Sequence, residues 1–86
     1  MVCLDYRIRD EQGLHVRPIS KIVFTLMKYN CRVQVKGRQG AADGKDMMEL
    51  LALNAGKGEM ICFIFEGAEE KAASEALEKL LSEIGL

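Results

Sequence analysis

The segment Gly13-Leu14-His15-Val16-Arg17-Pro18-Ile19-Ser20 holds the one histidine and the one proline of an 86-residue chain, with an arginine between them. A neutral imidazole carries a nitrogen lone pair that can act as a nucleophile, and a guanidinium offers a fork of donors to an anion. The glycine suits a sharp turn out of a strand. The proline is best tolerated in the first turn of a helix, where backbone donors are unpaired anyway. This spacing predicts that His15 sits at or just before a helix start, facing free N–H groups and the positive end of the macrodipole. Such a terminus binds phosphate readily and favours the neutral ring. Arg17 adds charged donors to the same anion. Val16, Arg17 and Pro18, the first turn itself, form the expected phosphate cradle around His15.

Other chemistries find less support in the residues. One histidine and three scattered cysteines (Cys3, Cys31 and Cys62) lack the ligand spacing of a zinc site, so no metal is expected. The cysteines fall on expected strands, which argues against a Cys–His nucleophile pair. Odd in number and free of any CxxC pairing, they are read as reduced thiols of a cytoplasmic protein. A formal net charge of -1, with no basic stripe interleaved with aromatics, argues against nucleic acid as a partner. No apolar run approaches the roughly 20 residues of a membrane span, and no signal segment is recognisable at the N-terminus. With 49% apolar and 29% charged residues, the composition is that of an ordinary globular protein. Residues 1–86 are read as one small domain.

The elements that must position His15 follow from hydrophobic periodicity. Val2–Ile8 alternates as a half-buried strand, with Val2, Leu4, Tyr6 and Ile8 inward. Asp10-Glu11-Gln12-Gly13 is a polar loop. From Val16 to about Met27, the residues Ile19, Ile22, Val23, Leu26 and Met27 form a helical stripe, with Phe24 off it on the exposed side. Cys31–Lys36 is a second alternating strand. After a turn at Gly37-Arg38, Gln39–Ala42 returns as a short edge strand. Asp46 is the expected N-cap of a short helix, with Glu49 three residues on in the form of a capping box. That helix has more apolar residues than one buried face can use. Met47, Met48 and Leu51 are therefore candidates for an exposed docking patch, against the alternative that all three are core. Met60–Phe65 reads as a central strand with Ile61, Phe63 and Phe65 inward. Glu69–Ile84 is the clearest helix. Ala72, Ala73, Ala76, Leu77, Leu80, Leu81 and Ile84 line its buried face, and Gly85 is its stop. The order strand, helix, strand, strand, helix, strand, helix, with short loops, predicts an α+β domain of helices packed on a mostly antiparallel sheet.

On this framework the chain resembles the histidine-containing phosphocarrier (HPr) family of the bacterial phosphoenolpyruvate:sugar phosphotransferase system. The segments that carry the resemblance are Gly13-Leu14-His15-Val16-Arg17-Pro18, Gly44-Lys45-Asp46-Met47-Met48, Leu53 to Gly58, and Glu66-Gly67. The first of these is the specific one. The resemblance implies an open-faced β-sandwich of βαββαβα order: four antiparallel strands in the order 1-4-2-3 with three helices on one face. It implies that His15 accepts a phosphoryl group on Nδ1 from enzyme I and passes it to enzyme IIA domains, with Arg17 contacting the group. By the same resemblance Met47, Met48 and Leu51 dock both partners. No cofactor is implied, and the chain is expected to be a monomeric carrier with a phosphohistidine intermediate rather than a stand-alone catalyst.

Two positions depart from the family pattern. Many relatives carry a regulatory serine, phosphorylated by a dedicated kinase, where this chain has Asp46. That aspartate is read as a plain N-cap or, alternatively, as a fixed charge that partly imitates phosphoserine. Ile19 is larger than the small residues common after the proline, but it removes no catalytic group. A second function class stays open: a regulatory binding module of the same fold that acts by complex formation, with a transcriptional regulator among its partners. The intact His15 and Arg17 favour the carrier. The residues do not separate a sugar relay from a nitrogen-related one.

Overall fold

Period-two alternation decides which way each strand faces, and the computed structural model, which describes residues 1–86, follows it. The elements are β1 (Val2–Arg7), α1 (Val16–Leu26), β2 (Arg32–Gly37), β3 (Gly40–Asp43), α2 (Met47–Ala52), β4 (Met60–Glu66) and α3 (Glu70–Ile84). The strands form one antiparallel sheet in the order β1-β4-β2-β3, as the resemblance implied. β4 is central: Phe63 lies opposite Leu4 on one side and Val35 on the other. Ile61, Phe63 and Phe65 are buried, as are Val33 and Val35 beside them. The Phe63 and Phe65 rings stack with centroids 6.5 Å apart. Burying each such side chain contributes about 1.5–3 kcal/mol, so this inner face is what fixes strand register. The alternate residues Cys3, Asp5, Arg7, Arg32, Gln34 and Lys36 are exposed or face the open side. β3, with only Ala42 buried, is the short edge strand that its composition predicts.

The helices cover the inner face. In α1 the residues Pro18, Ile19, Ile22 and Leu26 are buried, with Val23 half-buried at the margin of the stripe. Met27, expected in that stripe, is 64% exposed. The helix ends at Leu26, and Met27 lies ~140° around the axis from Ile22, so it turns away from the sheet. Phe24 is exposed as expected, with the Lys28 ammonium 4.8 Å from its ring centre.

In α2, Asp46 is the N-cap, its Oδ1 accepting from Met48 N–H at 2.9 Å and Glu49 N–H at 3.1 Å. The reciprocal half of the capping box is not made. Glu49 instead accepts from the Asp43 N–H at 2.8 Å, which ties α2 to the end of β3.

In α3 the buried residues are Ala73, Ser74, Leu77 and Leu81. Ala72, expected inward, is exposed because the stripe runs through 73, 77 and 81 at four-residue spacing. Ser74 takes the place beside it, with its hydroxyl donating to the Lys71 carbonyl at 2.9 Å. Gly85 is left-handed at φ 68° and stops the helix. Leu86 then folds back into the core. No helix is long and apolar enough to cross a membrane.

Candidate functional site

Between β1 and α1 the chain must reverse within eight residues, and three contacts shape that loop. Gly13 N–H donates to the Asp10 carbonyl at 2.9 Å, closing a four-residue turn with aspartate first and glycine last. Asp10 Oδ1 accepts from Gln12 N–H at 2.9 Å, bracing the turn from its side chain. At its outer end the loop is clamped to the end of α3, where the Leu86 carbonyl accepts from Arg9 N–H at 2.6 Å and Asp10 N–H at 2.7 Å. Leu14, buried, anchors the inner end, and its N–H donates to the Ala55 carbonyl at 2.9 Å. The segment carrying Ala55 is in turn bonded to the residue after β1, with Gly58 N–H donating to the Ile8 carbonyl at 2.7 Å.

These restraints deliver His15 to the N-cap of α1 with extended backbone, φ -115° and ψ -179°. The side chain does not cap the helix. Its Nε2 lies 3.3 Å from Asp10 Oδ2, and Nδ1 has no hydrogen-bond partner. The first-turn N–H groups of Val16 and Arg17 have no helical acceptor, and no acidic residue occupies that turn. Pro18 is buried and brings no N–H, so it shapes the turn rather than donating to an anion. The Arg17 guanidinium is exposed and makes no ion pair within the chain. Lys21, one helical turn further along, lines the same hollow as His15 and Arg17, as does Glu83 of α3. The Asp10 carboxyl is held below the usual carboxylate range, first by the Gln12 N–H and then by His15.

His15, Val16, Arg17 and Pro18 lie together at the start of α1, with Pro18 buried beneath the turn. Asp10 and Lys21 were missed. The Asp-x-x-Gly pattern signals the turn that positions Asp10 but not the direction of its second oxygen. Lys21 is signalled only by its four-residue spacing from Arg17. No cluster of three or more potential metal ligands exists. A second hollow, lined by Arg32, Gln34, Asp43, Glu49 and Glu66, contains no histidine, cysteine, lysine or hydroxyl side chain. Of the expected docking residues, Met48 is 76% exposed, whereas Met47 and Leu51 are half-buried against the core.

Comparison with known proteins identifies the family and the fold. The family described as PTS-HPr, "PTS HPr component phosphorylation site", matches residues 3–83. The phosphocarrier protein HPr of Pseudomonas aeruginosa is 35% identical over 83 residues, covering 95% of this chain and 92% of the relative. The multiphosphoryl transfer protein of Escherichia coli O157:H7 is 32% identical over 76 residues, which span 85% of this chain but only 20% of that longer protein. Among solved structures, a histidine-containing phosphocarrier protein from a mycoplasma superposes with a TM-score of 0.96 over 99% of this chain and 97% of its own. At 21% identity it speaks to the fold alone.

Proposed function

The chain belongs to the HPr family, the phosphocarriers of the phosphotransferase system, and from that premise we propose that His15 bears the phosphoryl group on Nδ1 while Arg17 neutralises it. The chain is a phosphoryl carrier of that system. The observation that carries the assignment to His15 is the asymmetry of its ring. Nε2 is engaged by Asp10, and Nδ1 is unpartnered at a helix start whose first N–H groups are free. A carrier must take the group and give it up again with little loss of free energy. Positioning and charge neutralisation therefore matter more than acid–base machinery. The Val16 and Arg17 N–H groups and the guanidinium supply that neutralisation, and Pro18 holds the turn in shape.

The donor and acceptor are enzyme I and enzyme IIA domains. Their docking surface is centred on Met48, with the partly buried Met47 and Leu51 completing it, and the exposed Val16 and Phe24 of α1 and Met27 just beyond it offer further apolar groups. Asp46 has no hydroxyl to phosphorylate, and its carboxylate serves as the α2 cap. We place the chain in the cytoplasm, which suits its three unpaired cysteines.

The test is intact-mass spectrometry after incubation with phosphoenolpyruvate and a cognate enzyme I, followed by brief acid treatment. One phosphoryl group, lost in acid and absent from His15→Ala, is expected. No addition, with the enzyme I active on another carrier, would replace this reading with that of a regulatory binding module.

A further inference from the structure

We infer that Asp10 is a positioning residue that fixes the tautomer of His15, holding the ring proton on Nε2 so that Nδ1 presents its lone pair to the incoming phosphorus. This rests on the reading of His15 as the phosphoryl acceptor. The Asp10 backbone is held at both ends, its N–H by Leu86 and its carbonyl by Gly13, and its Oδ1 by Gln12 N–H. Oδ2 is the oxygen left to face the imidazole, at 3.3 Å from Nε2. An ionised carboxylate only accepts, so the nitrogen it faces must be the donor. No second group competes for the ring: Arg17, Lys21 and Glu83 border the same hollow, but none hydrogen-bonds a ring nitrogen.

The consequence for transfer is one of charge. The Nδ1 lone pair forms the bond to phosphorus, the bond between phosphorus and the donor's leaving atom breaks, and that electron pair departs with the donor. No proton moves at His15. The ring is left cationic, with its Nε2–H pointing at a carboxylate. Asp10 thus stabilises the phosphorylated ring through Nε2, opposite the nitrogen that reacts.

Two substitutions separate this role from a purely structural one. Asp10→Asn keeps an oxygen for the Gln12 N–H and so preserves the turn, but it turns an amide donor toward Nε2. The ring must then accept there and carry its proton on Nδ1. Asp10→Ala removes the turn brace and the ring contact together, without enforcing the wrong tautomer. The proposal therefore expects Asn to be the worse variant, slowing phosphorylation by roughly tenfold, with Ala slowed only about two- to threefold. A structural role expects the reverse order.

The direct readout is long-range 15N NMR of the unphosphorylated protein. The wild type is expected to show a protonated Nε2 and an unprotonated Nδ1, and Asp10→Asn the opposite. The proposal is overturned by an Nδ1–H tautomer in the wild type, by tautomers that do not change in Asp10→Asn, or by Ala slower than Asn. Because the tautomer is read without any phosphoryl donor, a His15→Ala protein that still accepted the group would sink the functional reading and leave this measurement standing.

Discussion

Gly13 and Ala55 approach so closely that a Cβ placed on Gly13 would lie 2.5 Å from the Ala55 carbonyl oxygen. That same oxygen accepts the Leu14 N–H, so the backbone just before His15 rests directly on the loop after α2. Gly13 also has φ 68°, which an L-residue adopts only at a cost. The site loop is thereby set by a backbone contact that no side chain can replace.

Gly13→Ala should destabilise the fold by at least about 1–3 kcal/mol, from the left-handed backbone alone, with the contact on Ala55 adding to it. Because the displaced segment leads straight into His15, phosphoryl acceptance should fall even at temperatures where the variant is folded. Urea denaturation and a phosphorylation time course on the same sample check both halves. Wild-type stability with wild-type acceptance would show that the loop can move aside freely.

Arg17→Ala removes the free guanidinium without touching the core, since the side chain is exposed and unpaired. Stability should change little. Transfer should slow by roughly 10–100-fold, the worth of about 1.5–3 kcal/mol for a hydrogen bond to a charged group. Arg17→Lys should recover only part of this, because an ammonium keeps the charge but loses the fork. Stopped transfer assays on the three proteins give the ranking.

The sequence makes the sheet legible because alternation is a backbone property: the inward set Ile61, Phe63 and Phe65 follows from pleat geometry once one member is placed. His15 was legible at a helix start because glycine and proline punctuate the chain on both sides of it. Asp46 was legible as a cap because its position and short side chain suffice. What escaped depends on tertiary detail. The rotation of Asp10 toward Nε2 is decided by the turn between them and by the Leu86 clamp, and neither leaves a periodic trace. Leu86, one residue beyond a stop signal, has no pattern from which its burial could be inferred. Glu69 and Glu70 open α3, where acidic side chains suit the helix dipole. They also bond outward, to Asn30 N–H at 2.7 Å and to Gly67 N–H at 3.0 Å.

The thiols should differ in reactivity. Burial first, and then the Asp5 side chain directly opposite it across β1 and β4, pushes the Cys62 thiol up to about 11. Burial also pushes the Cys31 thiol up. The thiolate is the reactive form, so at neutral pH iodoacetamide should label the exposed Cys3 first and Cys62 slowly. Asp5→Asn should speed Cys62 modestly, since burial is the larger cause. Peptide mass mapping over time resolves the three sites.

Acid should weaken the fold through identified carboxylates. Glu70 is held below the usual carboxylate range by the Met1 amine, 2.7 Å from its Oε2, and then by the Gly67 N–H. Asp10 is held low as described above. A lowered carboxyl binds fewer protons folded than unfolded, so its contribution is complete above the unfolded value and lost as pH falls through the lower folded one. The Met1 amine is raised, chiefly by Glu70, so its contribution is complete below its ordinary value and lost as pH rises through the raised one. Glu70→Gln should therefore flatten thermal stability against pH at both ends. Melting curves recorded from acid to alkaline pH test this, and an unchanged alkaline limb would remove the amine from the account.

Asp46 separates a cap from a regulatory charge. Its Oδ1 accepts two first-turn N–H groups, and α2 has only six residues, so the cap is a large part of what holds this helix. Asp46→Ala should cost about 1 kcal/mol, and Asp46→Ser, which restores an accepting oxygen, should cost almost nothing. If capping is the whole role, Ser should also transfer the phosphoryl group at the wild-type rate, because Met48 is presented in the same way. A Ser variant of unchanged stability but altered transfer would show that the charge itself acts on partner binding. Urea midpoints and transfer rates measured on the same three proteins distinguish the two, since stability reads the cap and rate reads the charge.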